Sequence, residues 1–232
     1  MSEVVKSPRP GRYLDQLTRL HCGPDLLRLK VFPNAKEVTE SFAAFQAVLD
    51  FLTPEGWKMG DASIAAIAVG DGSTPCTGAT FAFRTAWQCY SVDPRLGQSW
   101  LAKGRADRAV ERLTCLRSRI EEIAPIDSDR AIVLAVHSHA PLEASISAVR
   151  AREVAVVAIP CCFPLTLPTE PDWSYRDKAI WSPANHVLIW MSAPQGDVRG
   201  DAGRTSRVCE ACREVYFAAR VEPATGSASA SG

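Results

Sequence analysis

The chain has 232 residues, of which 47% are hydrophobic and 22% charged, a composition typical of a globular protein with a sizeable core. Lys and Arg total 26, as do Asp and Glu, so there is no strong signal for nucleic acid or an anionic membrane as partner. No apolar run approaches the roughly 18 residues of a membrane span, and the first residues show no secretory signal. These features predict an intracellular, cytoplasmic protein without a membrane partner, whose eight cysteines are reduced.

The first well-marked element in the chain is a helix that begins after Asn34. Asn34 can cap this helix, and Glu37, three residues on, can complete a capping box. Apolar residues then recur at helical spacing on one face, at Phe42, Phe45, Val48, Leu49 and Leu52. The Thr-Pro-Glu-Gly segment at 53–56 ends the helix. A shorter amphipathic piece at 13–20 precedes it, so we expect an N-terminal helical extension.

From residue 63 onward the pattern alternates between apolar strands and helices. Strands are predicted at 63–69, 87–92, 113–120, 131–136 and 154–159, with helices at 77–86, around 98–103 and at 141–151. Several of the strands are apolar throughout, which is typical of strands buried on both faces. The alternation predicts an α/β fold with a doubly wound, mostly parallel sheet and right-handed crossovers.

The last two apolar runs predict a different arrangement. Residues 187–191 and 215–221 are apolar and are separated by a loop-like segment without a convincing helix. Two such strands joined by a loop predict an antiparallel hairpin at the sheet edge. We therefore expect one domain over 1–222, followed by a disordered low-complexity tail at 223–232.

Glycines and a carboxylate stand at the ends of the first two predicted strands. Gly70 and Gly72 allow a sharp turn and a close approach to a ligand, and in open α/β sheets ligands lie beyond the carboxyl ends of the strands. Asp93 follows Gly70 by 23 residues, close to the roughly 20-residue offset at which a carboxylate meets ribose hydroxyls. A tight turn and a helix-capping Asp would give the same pattern. Pro75 excludes the dinucleotide fingerprint, and no phosphate-binding loop is present.

Gly70, Asp71 and Gly72, followed one strand later by Asp93, resemble the first two motifs of class I S-adenosylmethionine-dependent methyltransferases. That family has a seven-stranded sheet whose last strands form an antiparallel hairpin, and the resemblance covers about residues 62–221 by order of elements. The chain departs from the family at Val69, where an acidic residue is usual, and in having GDGSTP in place of a G-x-G-x-G run.

The resemblance implies a role for each matching residue. Gly70 and Gly72 would line the methionine and ribose side of S-adenosylmethionine, and Asp93 would bind the ribose diol. Asp71, or the hydroxyls at positions 73 and 74, would hold the ammonium group. Two residues at the end of the third predicted strand, Arg119 and Ile120, would lie near the adenine, unless Arg119 belongs to a solvated charge pair.

The predicted fourth strand ends in His137-Ser138-His139, where the family keeps its acceptor-facing motif. Residues two apart on an extended strand share a face, so both imidazoles can point into one crevice. Either His137 or His139 is a candidate base for an oxygen or nitrogen acceptor. The acceptor itself, whether a small molecule, a protein or RNA, is left open. Cys161-Cys162, after the fifth strand, are either buried thiols or reactive ones.

Two alternatives to a methyltransferase remain open. One is a non-catalytic scaffold or partner-binding protein that keeps the fold without the cofactor, which the divergent glycine motif favours. The other is a zinc or thiol enzyme on the same fold. Cys209 and Cys212 have the spacing of metal ligands, but a structural zinc site needs about four ligands.

Overall fold

The computed structural model describes residues 11–101, 110–161 and 167–193, all within the first of two compact units, Met1–Arg199. Its strands are β1 (Ile64–Val69), β2 (Gln88–Val92), β3 (Leu113–Leu116), β4 (Ile126–Asp127), β5 (Arg130–Val136), β6 (Val149–Arg150), β7 (Glu153–Ile159), β8 (Trp173–Arg176) and β9 (His186–Trp190). The predicted extents of the domain, 1–222, and of the tail, 223–232, stay predictions because everything from residue 194 lies outside the described part.

Seven of these strands form one mixed sheet in the order β3-β2-β1-β5-β7-β9-β8, and β4 and β6 form a separate parallel pair. The first five strands in this order, which are β3, β2, β1, β5 and β7, are parallel, whereas β9 is antiparallel to both of its neighbours. The predicted α/β class, the parallel core and the closing antiparallel hairpin are confirmed.

One of the two strands predicted to form the hairpin was wrong. The run predicted at 187–191 is β9, but its hairpin partner is β8, and the second predicted strand, at 215–221, lies outside the described residues. Sequence analysis overlooked β8 because it is only four residues long and partly exposed, so it lacks the continuous apolar pattern of the central strands. Tyr175, its buried residue, packs in the core beside Phe51.

The helices are α1 (Arg12–Arg19), α2 (Gly23–Arg28), α3 (Ala35–Ala47), α4 (Cys76–Arg84), α5 (Gln98–Leu101) and α6 (Leu142–Ser147). The predicted cap of α3 is present, since the Glu37 amide donates to the Asn34 side chain at 3.0 Å. A π-helical turn, Val48–Leu52, and a 3-10 turn, Thr53–Glu55, extend α3 up to Gly56, whose φ is 87°. Another 3-10 turn, Ile120–Glu122, follows β3.

The core consists of two apolar clusters on opposite faces of the sheet. Alternate residues of β1 contribute to each cluster, as the two-residue period of a strand requires. α3 and α4 pack with the first cluster, where Trp57, Trp87 and Phe81 are fully buried, and α6 packs with the second. Every residue of β1 is buried, as expected of a strand covered on both faces.

α1 is attached to the segment after β8 by a buried polar contact. The Asp177 carboxylate accepts hydrogen bonds from Arg12 at 2.7 Å and from the Tyr13 hydroxyl at 2.5 Å. Asp177 is only 1% exposed, whereas the Arg12 side chain is 30% exposed, so this partly buried ion pair links α1 to the segment after β8. Within the described ranges, no helix is both long and apolar enough to cross a membrane.

Candidate functional site

The predicted site residues gather at the carboxyl edge of the sheet, where β1 lies between β2 and β5. The chain passes from β1 to β2 on one side and returns to β5 on the other, which makes this a topological switch point, the place where open α/β sheets bind ligands. Gly70 continues from β1 and its amide donates to the Val92 carbonyl at 2.8 Å. The turn after β1 is thereby held beside the end of β2.

Gly70 has a φ of 65°, and its missing side chain leaves room for a serine after β5. A Cβ at this position would lie 2.4 Å from Ser138 Oγ. The Ser138 hydroxyl is itself fixed, because it accepts a hydrogen bond from the Ala140 amide at 3.0 Å. Gly70 therefore allows a close approach between two protein segments, and its predicted place on the methionine and ribose side of a cofactor stays a prediction.

Gly72 and Asp93 are brought into direct contact. The Gly72 amide donates to Asp93 Oδ2 at 2.9 Å, so the carboxylate faces the glycine turn, as a shared ribose site requires. Gly72 has a φ of 86° and nothing within 4 Å of where its Cβ would lie. Asp93 Oδ1 accepts from the Arg95 amide at 2.6 Å, and the carboxylate is nearly buried.

Asp71 turns inward, toward the start of α4. One carboxylate oxygen accepts from the Thr77 amide at 2.8 Å, and the other from the Gly78 amide and the Ser91 hydroxyl, both at 2.9 Å. Burial raises the pKa of Asp71 to about 6, and the hydrogen bonds from those donors oppose the rise. These contacts are those of a helix cap. The predicted contact with a cofactor ammonium stays a prediction, and it would have to compete with them.

Arg119 and Ile120 lie beyond the end of β3. Ile120 is 3% exposed and belongs to the apolar cluster that contains α6. The Arg119 amide faces the Glu122 carboxylate at 3.5 Å, across the short 3-10 turn. Their predicted place beside an adenine ring stays a prediction.

His137 follows β5 in a left-handed conformation, with a φ of 49°, which is uncommon for a residue with a side chain. Its Nδ1 lies 3.3 Å from Glu40 Oε1 on α3, and its Nε2 lies 3.1 Å from the Ala184 carbonyl. Burial lowers the pKa of His137. Lys36, one turn before Glu40, places its ammonium 2.9 Å from the same Glu40 oxygen.

Sequence analysis missed Glu40 and Lys36 as site residues. α3 was interpreted only through its apolar face, yet Glu40 is 0% exposed. The signal was available in the sequence, because a glutamate directly before the run Ser-Phe-Ala-Ala-Phe is unusual in a helix that packs on a sheet. What the sequence could not show is that this helix crosses the carboxyl edge beside His137.

His139 is directed toward β7. Its Nε2 lies 3.2 Å from Cys161 Sγ, and burial lowers its pKa, with the charge of Arg95 acting in the same direction. Cys162, Cys209 and Cys212 lie outside the described residues, so the zinc prediction there stays a prediction. Among the residues that are described, no group of three or more His, Cys, Asp or Glu side chains is arranged to hold a metal ion.

The sequence matches no protein-family profile and no curated protein. Among solved structures, the magnesium protoporphyrin IX methyltransferase ChlM from Synechocystis PCC 6803 with bound SAM aligns with a TM-score of 0.43 and 11% identity, over 80% of this chain and 97% of that one. A variant of MtNAS aligns with 0.40 and 12%, over 79% and 74%. The antibiotic-resistance methyltransferase Kmr aligns with 0.37 and 15%, over 57% and 88%.

Strand order and strand direction, rather than these alignments, identify the fold. Five parallel strands are followed along the sheet by an inserted antiparallel strand and the edge strand of a hairpin. The fold is class I methyltransferase-like. The resemblance stated from the sequence is therefore confirmed for the fold, and the function has to be argued from the site.

The methyltransferase-like fold implies S-adenosylmethionine as cofactor, and the residues at the edge fit such a ligand. A side chain at Gly72 would fill open space at the turn whose amide donates to Asp93. An ionised carboxylate offers about four acceptor positions, and two amides occupy part of that capacity at Asp93. The Arg95 side chain, 3.5 Å from Asp93 and about half exposed, must move aside for a diol to reach the carboxylate.

Proposed function

We propose that the chain is an S-adenosylmethionine-dependent methyltransferase that transfers a methyl group to an acceptor of unidentified class. One observation carries the proposal. The Asp93 carboxylate accepts from the Gly72 amide at the switch point of the sheet, the Cβ side of Gly72 is open, and His137 and His139 follow the next strand of the same edge. The carboxylate proposed to bind ribose and the side chains proposed to transfer a proton thus lie at one edge of one sheet.

The residues have distinct roles in this proposal. Asp93 would accept hydrogen bonds from the ribose diol, and the absence of a side chain at Gly72 would let the ligand approach the backbone. When bound, the cofactor would supply an electrophilic methyl group. Histidines near neutral pH can hold or accept the proton that an acceptor loses, which is the role proposed for His137 and His139.

A second candidate function is a non-catalytic protein that keeps the fold and no longer binds the cofactor. The observation that favours it is that both carboxylates of the turn already accept hydrogen bonds from the protein itself. Asp71 receives three hydrogen bonds from the protein, and Asp93 receives two from backbone amides while being 2% exposed. Nothing in the turn then requires a ligand to pair these groups, and absence of cofactor binding by folded protein would favour this candidate.

The test between the two is a calorimetric titration with S-adenosylmethionine and S-adenosylhomocysteine. We expect saturable binding to the unchanged chain and at least about a tenfold loss in Gly72→Asn, because the new side chain would fill the open space at the turn that contacts Asp93. Asn tolerates the left-handed conformation better than other residues with a side chain, which limits the backbone strain.

Gly11→Asn is the matched control for that titration. Gly11 has a φ of 84° and nothing within 4 Å of its Cβ position, nearly the same backbone and space as Gly72, but it caps α1. We expect unchanged affinity in this variant. Equal affinity in both variants, or no binding by any of the proteins at millimolar ligand, would contradict the proposal.

A further inference from the structure

A buried carboxyl group on α3 lies against the imidazole that follows β5. Glu40 Oε1 is 3.3 Å from His137 Nδ1, and the two side chains are 1% and 17% exposed. Oε1 is buried and has no hydrogen bond with suitable geometry to any described residue, although the Lys36 ammonium lies 2.9 Å away. The same ammonium donates to the other oxygen, Oε2, at 3.0 Å, so the buried carboxyl group lies between a charged donor and a ring nitrogen.

The other ring nitrogen of His137 is also directed at an oxygen. Nε2 lies 3.1 Å from the Ala184 carbonyl, which can only accept a hydrogen bond. Hydrogen bonds across both gaps, Oε1 to Nδ1 and Nε2 to the carbonyl, would need two protons. A neutral imidazole carries one N–H, so it can fill only one gap. A proton on Glu40, or a charged His137, would fill the other.

The groups around the pair favour a proton on Glu40. Burial raises the pKa of Glu40 to about 7 and lowers the pKa of His137, so the two shifts together favour a proton on the carboxyl group over one on the imidazole. The facing charged and titratable groups are Lys36 and Glu37 from α3 and His139 from the segment after β5. Lys36 opposes the rise at Glu40, and Glu37 adds to it.

We propose that Glu40 and His137 form a proton relay, in which Glu40 stores the proton that the methyl acceptor loses. This inference rests on the proposed function and narrows the acceptor to one with an O–H, N–H or S–H bond. Before transfer, Glu40 is ionised and accepts from Nδ1–H of His137, while Nε2 faces the acceptor in place of the Ala184 carbonyl. The acceptor heteroatom then gains the methyl carbon, whose bond to sulfur breaks, and gives its proton to Nε2.

The relay ends with Glu40, His137 and the Ala184 carbonyl at the separations found in the structure. The Nδ1 proton passes to Glu40 Oε1, and the new Nε2–H is donated to the Ala184 carbonyl. The acceptor has lost one proton, Glu40 has gained one, and His137 returns to neutrality as the other tautomer. His137 contacts the acceptor in this scheme, whereas Glu40 acts through His137.

The test is nitrogen NMR of the histidine side chains in the full chain, which has only four histidines to assign. Without any ligand, we expect His137 to be the Nε2–H tautomer at pH 6, with Nδ1 accepting a hydrogen bond. The Nδ1 signal should titrate with a midpoint near pH 7 as Glu40 loses its proton. In Glu40→Gln the side-chain amide donates permanently to Nδ1, so this titration should disappear.

Glu37→Gln is the control, because it removes the same charge one turn earlier on α3. The His137 titration should persist in it, with a slightly lower midpoint since a neighbouring negative charge is gone. If Glu40→Gln does not fold, the carboxyl carbon signal of Glu40 in the unchanged protein provides the test instead. In the relay, this signal titrates with the same midpoint as His137 Nδ1.

Independent titrations, or a His137 signal that Glu40→Gln leaves unchanged, would overturn the relay. The measurement needs no cofactor, so it can fail while S-adenosylmethionine still binds, and it can succeed on a protein that binds none. The two proposals are therefore tested separately.

Discussion

Gly70→Ala is expected to lower the free energy of unfolding by about 3 kcal/mol, because left-handed strain and a steric clash add together. The new Cβ would lie 2.4 Å from Ser138 Oγ and 3.2 Å from the Ser138 Cα, so the segment after β5 would have to move. Urea denaturation followed by circular dichroism gives the free-energy change. The effect is a property of the protein alone and requires no ligand.

Gly72→Ala measures the cost of left-handed backbone strain without the steric clash that Gly70→Ala adds. Its φ of 86° also lies in the left-handed region, but no atom lies within 4 Å of the Cβ position, so we expect only about 1 kcal/mol of destabilisation. Ser138→Gly introduced together with Gly70→Ala removes the two nearest contacts, and the double variant should lose less than the sum of the single losses. Equal losses in Gly70→Ala and Gly72→Ala would contradict the close approach of Ser138.

Asp71→Ala is expected to destabilise the protein by about 3 kcal/mol or more, because it leaves buried hydrogen-bond donors without an acceptor. The donors are the amides of Thr77 and Gly78, in the first turn of α4, and the Ser91 hydroxyl on β2. Loss of this carboxylate should therefore loosen both α4 and its attachment to the sheet. Urea denaturation measures the loss, and hydrogen exchange at the two amides locates it.

Asp61→Ala provides the comparison for Asp71→Ala. Asp61 likewise accepts from a backbone amide and a hydroxyl, both of Ser63, but these contacts are exposed to solvent. Water can replace them, so we expect a much smaller loss of stability than in Asp71→Ala. A loss at Asp71 as small as that at Asp61 would mean that the carboxylate does not support the start of α4.

Much of the fold could be predicted because the central strands carry strong local signals. β1, β5 and β7 are continuous apolar runs that end at Gly, His or Pro, and each lies within a residue of its predicted bounds. Helix α3 begins at its predicted cap for the same reason, since Asn34 acts on its own helix. The edge strand β8 was missed because its pairing with β9 depends on a tertiary contact more than on its own four residues.

The site was predictable only in part. Chain order places Gly72, Asp93 and His137 at strand ends, and strand ends in a parallel sheet share one edge, so their proximity follows from topology. Side-chain direction does not follow from topology. Asp71 caps α4 and Ser138 packs on Gly70, and neither contact has a local sequence signal. Glu40 was missed because its partner, His137, lies about a hundred residues away in the sequence.

We expect an adenosine group to bind beside the Gly72 turn with its ribose on the Asp93 carboxylate, and a crystal structure with S-adenosylhomocysteine tests this most directly. Both ribose hydroxyls should contact the Asp93 carboxylate, the Arg95 side chain should have moved from it, and the ligand should lie against Gly72. Crystals grown at saturating ligand that show it bound elsewhere, or Asp93 held only by the amides of Gly72 and Arg95, would contradict this expectation.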